Sequence, residues 1–83
     1  MNTIKKAMTT RHIRRVTAKE FTDKCNSLLR RYIWFSVYRT PKEKSWVAMD
    51  CGRRITLTVR EEEELRFLSL RHEGEESVYI AVH

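Results

Sequence analysis

Glycine and proline are nearly missing from this 83-residue chain, which has two Gly and one Pro. That excludes a collagen-like chain and a low-complexity linker. No apolar run approaches the ~20 residues that a membrane-spanning helix needs, so no membrane partner is expected. Cysteine is also sparse. Cys25 and Cys51 are the only two, with no CxxC and no clustered His beside them, so the four-ligand spacing of a structural zinc is absent. No metal or cofactor is expected. The basic opening has no apolar stretch behind it of the kind a secretory signal carries. The expectation is a reduced, cytoplasmic protein, with Cys25 as a core thiol.

Catalytic motifs are missing too. There is no GxSxG, Walker, HExxH or dinucleotide fingerprint. The titratable candidates His12, His72, His83, Cys25 and Cys51 are scattered without a base–nucleophile pairing. The chain is therefore read as non-enzymatic. A small toxin-type ribonuclease using His12, His72 or Tyr79 is a distant third choice.

What is present is an ordered, strongly polar composition. Hydrophobic residues make up 41% and charged residues 34%, enough of the former to build one small core. Charge is unevenly placed. Residues 1–54 hold fourteen bases and four acids, whereas residues 55–83 hold three bases and seven acids, within an overall +6. A basic half of this kind attracts nucleic acid or an acidic protein surface.

Residues 1–15 carry five bases and few apolar anchors, and are read as a basic arm or an added turn on the first helix. Residues 16–83 are read as a single domain. Thr17 with Glu20 forms a capping box, flanked by Val16 and Phe21 as a hydrophobic staple. Ala18, Phe21, Cys25, Leu28, Leu29 and Tyr32 then recur at helical spacing and predict a helix over 18–31. From Ile33 the period changes to two, and strands are expected at 33–38, 46–51 and 54–59, with turns at Thr40–Lys44 and Gly52. Residues 60–73 fit a helix or a strand, with the strand preferred, and Ser77–Val82 ends the pattern as a strand. The fold class is α+β, with an N-terminal helix packed on an antiparallel sheet of four or five strands. The alternative order is α-β-β-β-α-β. In this scheme Ile33, Phe35 and Val37 face the helix, and Trp34 and Tyr38 face away from it.

Basic clusters fall at the ends of these elements: Arg14 and Arg15, Arg30 and Arg31, Arg39, Lys42 and Lys44, Arg53 and Arg54. These nine are the candidate contacts for phosphates or for an acidic partner. Trp34, Tyr38 and Trp46 interleave with them as aromatic contacts on which bases could stack. The expected function is a small regulatory module that contacts nucleic acid through its basic N-terminal half. The runner-up is a protein-binding inhibitor or adaptor of the kind encoded by phages and mobile elements, acting on a host or defence complex. A homodimer fits either.

Val16-Thr17-Ala18-Lys19-Glu20-Phe21, then Cys25 and Leu28-Leu29, resembles the opening strand and helix of the Phd/YefM antitoxins. The resemblance implies a toxin–antitoxin component that binds operator DNA as a dimer and holds a toxin with its C-terminal segment. It covers residues 16–29 alone. The Gly-containing hairpin of that family is absent here and the C-terminal part reads as strand.

Overall fold

The structure, a computed structural model, describes residues 10–82, with the side chain of Tyr38 outside the description. The elements run β1 (Thr10–Arg15), α1 (Ala18–Arg31), β2 (Phe35–Arg39), β3 (Glu43–Asp50), β4 (Arg53–Glu62), β5 (Leu65–His72) and β6 (Glu75–Val82). All six strands form one sheet in the order β1-β6-β5-β4-β3-β2. The α+β class holds, but the sheet has six strands rather than four or five. It is also mixed, because β1 pairs with β6 in parallel while every other pair is antiparallel.

The helix begins and ends where its chemistry requires. The Thr17 hydroxyl accepts from the Glu20 amide, and the Glu20 carboxylate accepts from the Thr17 amide, completing the capping box. Arg30 and Arg31 sit in the last turn, where positive charge suits the helix dipole. Phe21 and Leu28 are buried from the helix, and Val16 and Cys25 pack against the same cluster. Burial pushes the Cys25 thiol pKa up, with Arg66 opposing.

The extra strand is β1. Its six residues are all exposed, so its sequence looks like a polar arm. A parallel ladder with β6 and an ion pair from Arg11 to Glu76 tie residues 10–15 into the sheet instead. Lys5 and Lys6 of the same basic segment lie outside the described residues, as does His83.

Residues 60–73 are strand and turn. Glu61 and Glu62 close β4 opposite Arg66 and Leu65, and Glu63 takes a left-handed φ of 49° in the tight connection. The alternation in β5 looks imperfect because both faces of this interior strand mix apolar and polar side chains. Leu68 and Leu70 point to the helix side, and Phe67 lies opposite Arg60 and Ile80 on the other. The β3–β4 and β5–β6 connections are two-residue turns. Both central residues have positive φ in each, Cys51 with Gly52 and Glu73 with Gly74. That is the type I′ hairpin geometry, which matches strand twist.

The two faces are assigned opposite to expectation at β2. Ile33 is 82% exposed, Phe35 65% and Val37 57%, so none of them meets the helix. Instead Trp34 and Trp46 pack against the helix-side cluster. A register shift between Ser36 and Tyr38 breaks the simple alternation there. The core is Phe21 and Leu28 on Leu57, Leu68 and Ala81.

Leu57 and Leu68 are the largest fully buried side chains. Leu57→Ala is expected to cost about 2–5 kcal/mol. A domain of this size holds on the order of 5–10 kcal/mol in total. Urea unfolding should show a sharply lower midpoint at unchanged slope.

Candidate binding surfaces

Cross-strand register sorts the charged residues onto two faces. Arg14, Arg39 and Lys44 share rows with Tyr79 and Val59, and so lie on the helix side of the sheet. Arg30 and Arg31 stand at the C-terminal end of α1, Lys42 in the β2–β3 connection, and Arg53 beside the β3–β4 turn. Arg15 and Arg54 face the other way, opposite Ile80 and Met49. Among the described residues only Arg53 of these nine is in an ion pair, with Glu73 at 3.4 Å.

The expected clusters are partly brought together. α1 delivers Arg30 and Arg31 to the start of β2, and Arg39, Lys42 and Lys44 follow around the first hairpin. Arg53 and Arg54 lie at the end of the sheet where β2 begins. These seven bases therefore share the β2 side of the molecule. Arg14 and Arg15 do not join them. They sit on β1 at the opposite edge, about 24 Å away across six strands spaced ~4.8 Å apart.

The aromatic candidates have structural duties. The Trp34 indole N–H donates to the Leu28 carbonyl at 2.9 Å, satisfying one of the open carbonyls at the helix end, and its ring meets Tyr32 edge-on. Trp46 is half-buried against the core. The backbone of Tyr38 pairs with Ser45.

The uncovered face carries groups that sequence patterning did not single out. At the start of β6 Glu76 is 7% exposed, a rare burial for a carboxylate. The Ser69 hydroxyl donates to one oxygen, the Arg11 Nε donates to the other at 3.1 Å, and Arg71 lies 3.7 Å away. The Ser69 hydrogen bond, helped by Arg11 and Arg71 and opposed by burial, holds the Glu76 carboxyl below the ordinary carboxylate range. Arg60 lies over the Phe67 ring at 4.7 Å and pairs with Glu62. These groups surround a shallow depression of about 440 Å³. Ile13, Phe35, Met49 and Val82, each more than half exposed, share the same face. Period-two alternation marks such residues only once register shows which strands adjoin.

His12 and Tyr79 lie on the helix side of neighbouring strands, opposite Ser77 and Arg14 respectively, while His72 sits at the far end of β5 opposite Ile55. No helix among the described residues is long and apolar enough to cross a membrane. Comparison with known proteins finds no matching family model, no similar curated protein and no similar solved structure.

Two outcomes are expected. Because its folded pKa lies below the ordinary 4.5, Glu76 contributes stability that is complete above that pH and is lost as pH falls through the depressed value. Urea midpoints should therefore drop on acidification below about 4.5, and Glu76→Gln should lower the neutral midpoint while flattening the acid limb. Trp34→Phe removes the donor to Leu28 and should cost about 1 kcal/mol in the same assay.

Proposed function

We propose that the protein is a small non-enzymatic regulatory module that contacts nucleic acid through its basic N-terminal half. The phosphate contacts are made by Arg30, Arg31, Arg39, Lys42, Lys44, Arg53 and Arg54, with Arg14 and Arg15 reaching a second, distant stretch. One observation carries this. The β2 side of the molecule gathers seven bases, six of which have no ion-pair partner among the described residues. Uncompensated arginines and lysines on one side favour a polyanion through counterion release. The two tryptophans are committed to packing, so the contact is to the backbone and tolerant of sequence.

An acidic protein surface docking on the same bases, as for an inhibitor or adaptor, is the second reading. Ile33 and Val37 favour it, since both are exposed beside these bases and a phosphate backbone would leave them in water.

Fluorescence anisotropy with mixed-sequence DNA and RNA probes separates the two. Phosphate contact predicts binding that weakens steeply between ~50 and ~200 mM salt. Arg30→Ala/Arg31→Ala should lower the affinity and reduce the salt slope by about two. Absence of binding at the lower salt would overturn the proposal and leave the protein surface as the reading to pursue.

A further inference from the structure

Where the uncovered face meets the β2 edge, an aromatic ring stands open. Phe35, the first residue of β2, is 65% exposed. Phe67, also on this face, is half-buried and carries the Arg60 guanidinium over its ring at 4.7 Å. Among the described residues no ring or cation lies against Phe35. Val47 stands directly opposite it, and Met49, two residues along β3 on the same face, is 60% exposed and lies opposite Arg54. Diagonal neighbours on one face are within reach of long side chains. Phe35, Met49 and Arg54 therefore make one patch, in which Arg54 has no ion-pair partner among the described residues. We propose that the nucleic acid held at the β2 side is single-stranded and stacks an unpaired base on Phe35. This rests on the function proposed above and specifies the ligand of that same site.

β2 is an edge strand, so a ligand lying along it reaches both faces of the sheet. Arg39 and Lys44 are on the helix side there, and Phe35 is on the uncovered side. Arg30 and Arg31 end α1 shortly before Phe35, whereas Arg39 and Lys42 lie past it, beginning about 13 Å along the strand. Phosphates before and after a stacked nucleotide thus both find bases, and β2 itself holds no acid to repel them. A flexible single strand can fold over such an edge, with its backbone on one face and a base on the other. A duplex cannot, because it is stiff over roughly 50 nm and keeps its bases paired in its interior.

Energetics select the same ligand. An unpaired base on an aromatic ring strengthens binding by about 10-fold, with no pairing to break. In a duplex the ring has to wedge between base steps, and the unstacking offsets that gain. Ile33 at 82% and Val37 at 57% exposure favour a single strand as well. A phosphate backbone alone would leave these side chains in water, whereas the faces of neighbouring unpaired bases cover them. Every base has a π-face, so the stack tolerates any sequence and suits DNA or RNA alike.

Anisotropy titrations of the full chain against labelled single strands of about 12 nucleotides, in DNA and in RNA, beside the duplex of the same sequence, test this. The single strands are expected to bind at least about 10-fold tighter than the duplex. Phe35→Ala should weaken single-strand binding about 10-fold while leaving duplex binding, the salt slope and the circular dichroism spectrum unchanged, and Phe35→Tyr should keep it. Duplex bound as tightly as single strand would overturn this inference and leave the function proposed above standing. So would single-strand binding that survives Phe35→Ala but falls with Arg30→Ala/Arg31→Ala, because phosphates alone would then hold the ligand. Absence of binding to every probe would overturn the function itself, and this inference with it.

Discussion

One helix has to carry the chain from one edge of the sheet to the other. β1 and β2 are consecutive strands, yet they occupy opposite ends of the order β1-β6-β5-β4-β3-β2. Fourteen helical residues cover about 21 Å, close to the ~24 Å width of six strands, so α1 has the length for the crossing and little to spare. A single crossing covers a single face. The core is accordingly thin, with Phe21 and Leu28 laid on Leu57, Leu68 and Ala81. Everything on the opposite face follows from having no second helix among the described residues to cover it.

That arrangement separates the charges by role. On the uncovered face Glu76 serves two purposes, since its ion pair with Arg11 fastens the exposed strand β1 and its contact with Arg71 neutralises a second guanidinium. The bases around the end of α1 and the first hairpin have no such counterpart among the described residues. On the uncovered face Arg11, Arg60 and Arg71 are answered by carboxylates while Arg15 and Arg54 are not, among the described residues, and the end of α1 with the first hairpin projects an uncompensated positive field.

Local chemistry was legible in the sequence and long-range placement was not. Thr17 and Glu20 announce the helix start because a capping box is complete within four residues, and the helix bounds follow the apolar stripe. Gly52 and Gly74 mark their turns for a similarly local reason. β1 was not legible, because nothing within Thr10–Arg15 has a buried face and its partner stands 65 residues away. The same limit reversed the faces of β2. Phe35 and Trp34 are both large and aromatic, and only the indole N–H bond to Leu28 and the packing of Trp46 decide which points inward. For the candidate site, the bases around the first hairpin could be grouped from sequence, whereas Glu76, Arg71 and Phe67 became neighbours only through strand register.

The parallel pairing of β1 with β6 also orders events during synthesis. β3 to β6 form a meander whose hairpins close between neighbours, but β1 has no partner until β6 has been made. For that interval α1 exists with its apolar stripe of Phe21, Leu28 and Leu29 facing a sheet still incomplete, since Ala81 of β6 belongs to the surface on which it rests. The N-terminal third of the fold is thus the first to be translated and the last to be fastened. Its exposure to chaperones and proteases is set by how quickly β6 arrives.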